Sequence, residues 1–162
     1  MKRSLVIGTA VVGAAVLVFG AYLLVGQPPQ TRCEADAAKY CQGNNGPCTL
    51  PVKVTSCAAD GSGIAVPEQL SVCTSRNIVW DLDGKDADGK KFKFADKGID
   101  FKQDYTPVFD PTLKVKGKYK YQWTDKHQPP PPSGTAYYPY TVNVVKDDDS
   151  PCASKDPRIS NE

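Results

Sequence analysis

The chain of 162 residues has one histidine, His127, and one methionine, Met1. That scarcity removes chemistry before any fold is considered. A metal centre built on two imidazoles has too few ligands. No pair among the six cysteines has the C-x2-C spacing that structural zinc sites use. There is no G-x-S-x-G turn and no phosphate-binding glycine loop, so serine-nucleophile and nucleotide chemistry lack their usual sequence support. Net charge is missing as well. Setting aside Lys2 and Arg3 leaves 18 of the 20 basic residues against 18 acidic ones. A neutral remainder has no overall drive toward nucleic acid, and no nucleic-acid partner is expected.

Long apolar runs are absent too, with one exception. Residues 5–25, LVIGTAVVGAAVLVFGAYLLV, are 21 uncharged residues that follow Lys2 and Arg3. At helical rise they span about 31 Å, the depth of a bilayer's hydrocarbon core. A cleaved signal peptide has a shorter apolar core and ends in a small-x-small site. The following YLLVGQPPQ offers none. The run therefore reads as an uncleaved signal anchor crossing the membrane once, with cleavage as the alternative. No cysteine follows the run closely, which excludes a lipoprotein. The basic residues ahead of it stay in the cytoplasm by the positive-inside rule, so everything after Gln27 is expected outside.

Outside is where disulfides form. Cys33, Cys41, Cys48, Cys57, Cys73 and Cys152 all lie beyond the apolar run. An even number in an exported domain implies up to three disulfides, with the connectivity open. Residues 33–48, CEADAAKYCQGNNGPC, are small and turn-rich, with room for about one helical turn around residues 35–40. So little apolar surface needs cross-links to order it, and the segment reads as a stapled cap. Three divisions follow: an anchor or signal at 1–26, a linker and Cys-rich cap at 27–48, and a main domain at 49–162.

From Thr49 the hydrophobic period is two. TLPVKV alternates at Leu50, Val52 and Val54, and QLSVC and NIVWDLD follow. Phe92 and Phe94 share a face, as do Ile99 and Phe101. LKVKGKYKYQW alternates over eleven residues, from Leu113 to Trp123, and YYPYTVNVV closes the pattern. Short alternating runs between Gly, Pro, Asp and Asn signals predict an all-β sandwich of about seven strands. Pro139 inside the last strand suggests an edge or a bulge there.

Two resemblances rest on these strands. Gly117, Tyr119, Tyr121 and Trp123, followed by a loop with His127 and then Tyr140 and Val142, resemble the C-terminal hairpin of cupredoxins. That family has a cysteine ligand where Trp123 stands, and its copper also needs a second histidine. The resemblance implies the scaffold without the metal. Over a longer span the chain resembles small bacterial proteins of the DP-EP type, related to inclusion-body proteins. The matching motifs are Ile78-Val79-Trp80-Asp81-Leu82, Tyr121-Gln122-Trp123, Tyr138-Pro139-Tyr140-Thr141-Val142-Asn143-Val144 and Asp156-Pro157-Arg158-Ile159-Ser160-Asn161. This implies an immunoglobulin- or cupredoxin-like β-sandwich with no catalytic site to carry over. The anchor and the six cysteines depart from the family pattern.

Other candidates are weaker. DLDGKDADGK suggests a calcium loop, but Gly84 falls at the first ligand position and Ala95 at the twelfth. A turn built on Asp-Gly between the Trp80 and Phe92 strands is the expectation. Lys114, Lys116, Lys118 and Lys120 fall on one face of the expected strand, as a solvated edge or a candidate surface for phosphate-bearing envelope polymers. The four prolines at 129–132 read as a stiff extended loop. Neither a nucleophile with its base nor a paired-carboxylate cleft is legible, so no enzyme and no cofactor is expected. The reading is a bacterial inner-membrane protein whose β-domain faces the periplasm, binding or supporting an envelope protein or polymer. A soluble periplasmic or secreted protein that self-associates is the alternative, and a hydrolase a remote one.

Overall fold

Residues 31–43, 45–105, 107–128 and 136–162 are described by the computed structural model, apart from the side chains of 111–116. The apolar run at 5–25 and the prolines at 129–132 lie outside the described residues. No helix among those described is long and apolar enough to cross a membrane.

Alternation in the sequence becomes strands with one buried side. In β1 (Cys48–Val54), β4 (Arg76–Gly84) and β8 (Ala136–Val145) every second side chain is buried. Two sheets result. The first has the order β2 (Ile64–Ala65), β1, β4, β7 (Lys120–Asp125), β6 (Phe109–Lys116). The second has the order β3 (Gln69–Val72), β9 (Arg158–Asn161), β8, β5 (Lys93–Phe101). Both sheets are mixed. β1 runs parallel to β4 and β3 runs parallel to β9, while the other pairs are antiparallel. Register stacks the core directly, with Leu50 beside Trp80, Val52 beside Leu82 and Trp80 beside Tyr121. The all-β expectation holds, with nine strands rather than about seven.

The extra strands have local causes. The eleven-residue stretch from Leu113 to Trp123 is not one strand: β6 ends at Lys116 and β7 begins at Lys120. A Cβ at Gly117 would lie 2.7 Å from the Lys120 carbonyl oxygen, so glycine permits the tight reversal. Both sheets hold this turn, since the Lys118 carbonyl accepts from the Phe94 amide and the Tyr119 carbonyl from the Leu82 amide. The four lysines therefore do not share a strand. The C-terminal Asp-Pro motif leads into β9, which lies between β3 and β8.

The Asp-Gly turn forms, but the chain changes sheets across it. Asp86 Oδ1 accepts from the Asp88 and Lys90 amides, and Gly89 takes φ +78°. Beyond the Lys85–Lys91 bridge, β4 continues in one sheet and β5 in the other. Pro139 also departs from expectation, because β8 is an interior strand. Its carbonyl accepts from Lys102, just past the end of β5 at Phe101. The proline nitrogen, on the same side, lies past the end of the β5 ladder, opposite the exposed Lys102, where water can serve the carbonyl that a proline cannot.

Residues 32–40 form α1 (Arg32–Tyr40), longer than the single turn expected. Thr31 and Glu34 make a capping box: the threonine oxygen accepts from the Glu34 amide, and the Glu34 carboxylate from the Thr31 amide. The helix lies against β3, the end strand of its sheet. Asp36 accepts from the Ser71 amide at 2.8 Å, Glu162 accepts from the Cys33 amide at 3.2 Å, and a disulfide joins Cys33 to Cys73. An edge amide that would otherwise be open to another chain is thereby occupied. The cap and the strands belong to one compact unit, Thr31–Glu162.

Candidate functional site

Polar side chains collect at one end of the sandwich, where β1 and β4 begin and β7 and β9 end. Arg76 opens β4, directly opposite Asp125, the last residue of β7. Both continue the inward phase of their strands: Arg76 precedes Ile78, Trp80 and Leu82, and Asp125 follows Tyr121. Asp125 and Asn161 are fully buried and Arg76 is 6% exposed.

Hydrogen bonds organise the group. Asp125 Oδ1 accepts from the His127 amide at 2.6 Å and from Asn161 Nδ2 at 3.2 Å. Ser75 Oγ donates to the Asp125 carbonyl at 2.7 Å. The Arg76 guanidinium donates to Thr74 Oγ1 at 2.7 Å and to Cys48 Sγ at 3.4 Å. Burial pushes the Asp125 carboxyl up to about 6, against the opposing pull of those donors and of Arg76. Burial and then the Arg76 charge hold the His127 imidazole below its ordinary 6.5. Burial raises the Tyr138 phenol, and the Asp125 charge adds to that shift.

This geometry resolves the role of the histidine loop. The loop leaves β7 in one sheet and enters β8 in the other. His127 turns it with φ 47°, and the Asp125 carboxylate holds the His127 backbone amide rather than its imidazole. Through this main-chain contact the carboxylate latches the start of the crossing loop. Trp123 packs edge-on against Phe101 with ring centroids 5.3 Å apart. No group of three His, Cys, Asp or Glu side chains converges to hold a metal among the described residues. Asp125 Oδ2, Asn161 Oδ1 and His127 Nδ1 are buried without a hydrogen-bond partner among them.

All six candidate cysteines are paired: Cys33 with Cys73, Cys41 with Cys48, and Cys57 with Cys152. The candidate polyanion surface is divided. Lys118 is exposed beside the turn, and Lys120 is exposed but bonded to Asp81 at 3.1 Å. Lys114 and Lys116 belong to β6, and their side chains lie outside the described residues. Lys91 Nζ stands over the Tyr119 ring at 5.2 Å.

Sequence reading passed over Arg76 and Asp125 and met Asn161 only as the end of a motif, with no role. The signal was present as charged and amide residues at inward positions of strands otherwise filled with apolar side chains. A scan against protein-family models found no match, and neither did a search of curated proteins.

Proposed function

We propose that the chain is a non-catalytic module of the bacterial envelope, displayed outside the inner membrane by the apolar run at 5–25. The observation that carries this reading is the pairing of all six cysteines within Thr31–Glu162. Such a framework persists in an oxidising compartment and is rare in the cytosol. The apolar run and the basic residues before it supply the matching orientation. Within that reading the sandwich is of the immunoglobulin or cupredoxin kind, akin to the DP-EP type, and works by binding or support. The one buried carboxylate–histidine contact is taken up by the backbone, which argues against hydrolysis. Lys114, Lys116, Lys118 and Lys120 are the proposed contacts for a phosphate-bearing polymer, with Lys118 exposed and Lys120 already bonded to Asp81.

Fractionation tests the placement. Alkaline carbonate should leave the protein with the membranes, and protease added to spheroplasts should reach residues 31–162. Release by carbonate would favour the soluble, self-associating alternative. Protection from external protease would contradict export altogether.

A further inference from the structure

We propose that Cys41–Cys48 is a thiol-exchange site, opened by a dithiol that attacks Cys41 and expels Cys48 as a thiolate. The other two disulfides join segments distant in the chain, with sequence separations of 40 and 95, whereas this one closes a separation of 7. Opening it therefore releases the least chain and leaves the sandwich tied at both remaining bridges.

Three features of its surroundings give the bond a direction. The first is access: Cys41 is half-buried, while Cys48 is 1% exposed and inside the core. An incoming thiolate must reach Cys41. The second is the helix. Cys41 is the C-cap of α1 and its amide donates to the Ala37 carbonyl. The negative end of the helix dipole opposes a thiolate there. The third is Arg76, whose Nη1 lies 3.4 Å from Cys48 Sγ in the buried polar cluster. A fixed guanidinium stabilises a thiolate on that sulfur, and a stabilised leaving group departs faster. Asp125 stands across the strand register from Arg76 and offsets part of its charge, and burial of Cys48 opposes the thiolate. The neutral-leaning imidazole of His127 adds no second cation. Arg76 is the group placed to decide the balance.

The step is conserved in atoms and electrons. The Cys41–Cys48 bond breaks as a bond forms between the reductant sulfur and Cys41 Sγ, and the electron pair goes to Cys48 Sγ. The second thiol of the dithiol, deprotonated, then attacks the reductant's own sulfur in the mixed disulfide. Cys41 leaves and takes a proton from water. The dithiol is oxidised to its disulfide and its second proton goes to solvent, and the protein gains the Cys41 thiol and the Cys48 thiolate. Reduction also frees Arg76 from a neutral sulfur and gives it an anion, at the end of the sandwich where Asp125 latches the crossing loop.

The test uses the full chain in detergent at pH 7. Dithiothreitol is titrated in, the reaction is acid-quenched, and each cysteine is read by alkylation and mass spectrometry. Cys41–Cys48 is expected to open at least tenfold earlier in the titration than either other pair. With glutathione as a monothiol, the adduct should sit on Cys41. In Cys41→Ser, which leaves Cys48 as the unpaired cysteine, the pH midpoint of its ultraviolet thiolate absorbance, a readout that needs no reagent to reach the core, should lie below the ordinary thiol value of about 8.5. Arg76→Met should move that midpoint upward; if that variant fails to fold, the Cys41→Ser midpoint and the adduct position decide alone. Earlier opening of another pair, glutathione on Cys48, or a midpoint at or above about 8.5 would overturn the proposal.

Discussion

Trp80 and Tyr140 meet across the two sheets, with the indole Nε1 donating to the phenol oxygen at 3.1 Å and the ring centroids 5.3 Å apart. Neither side chain has any exposed surface. One hydrogen bond thus joins β4 to β8 where water cannot replace it. Tyr140→Phe keeps the ring and strands the indole N–H. The expected cost is about 1–3 kcal/mol in urea denaturation, the penalty of a buried unpaired donor. A change below about 0.5 kcal/mol would mean that the indole finds another acceptor.

Asp125 gives stability an unusual pH dependence. Its folded carboxyl titrates near 6, above the ordinary 3.8, so the folded state binds the proton more tightly than the unfolded state. Its favourable contribution is complete below about pH 4 and is lost as pH rises through about 6. The span corresponds to about 3 kcal/mol. Asp60, Asp148 and Asp156 are shifted downward and work the opposite way, so the test is a difference. Asp125→Asn keeps an acceptor for the His127 amide and removes the charge. The variant should gain stability relative to the parent from pH 4 to pH 7. A constant difference across that range would contradict the assignment.

How much of this was legible beforehand follows from what each residue signals locally. The period of two in Leu50, Val52 and Val54 and in Ile78, Trp80 and Leu82 announces half-buried strands, because burial on one face needs nothing more than the pleat. The break at Gly117 was hidden, since β6 and β7 carry the same alternation and only the tight reversal separates them. The sheet switch between β4 and β5 was hidden for a similar reason: an Asp-Gly turn fixes local geometry and not which sheet receives the next strand. Thr31 and Glu34 did announce a helix start, in a segment whose poverty of apolar residues drew attention instead to its cysteines. Arg76, Asp125 and Asn161 come from three strands, and their meeting depends on topology that no local pattern encodes.

The capping box can be measured directly. Thr31→Ala removes the acceptor for the Glu34 amide and should cost the helix about 1 kcal/mol. Hydrogen exchange at residues 33–37 should quicken while β4 and β8 keep their protection. Unchanged exchange would show that the Cys33–Cys73 bridge and the Asp36 and Glu162 contacts hold the helix without its cap.

Disulfide removal should rank by loop length. In the chain-entropy treatment, replacing Cys57 and Cys152 by serine should cost about 4–5 kcal/mol, and replacing Cys41 and Cys48 about 2–3 kcal/mol. Chemical denaturation of the two double variants gives the comparison. Equal costs would mean that packing around the bridges outweighs the chain entropy they remove.

The account rests on an anchored chain whose domain matures outside the cytoplasm, and intact-mass analysis of protein from native membranes tests that most directly. Thiols are blocked during lysis, before any reductant is added. The account predicts a chain that still contains residues 5–25, with Cys33, Cys57, Cys73 and Cys152 unmodified until they are reduced. A mature N-terminus between residues 14 and 31 would contradict the anchor. Blocking of all six cysteines at lysis would contradict the oxidising compartment and, with it, the proposed function.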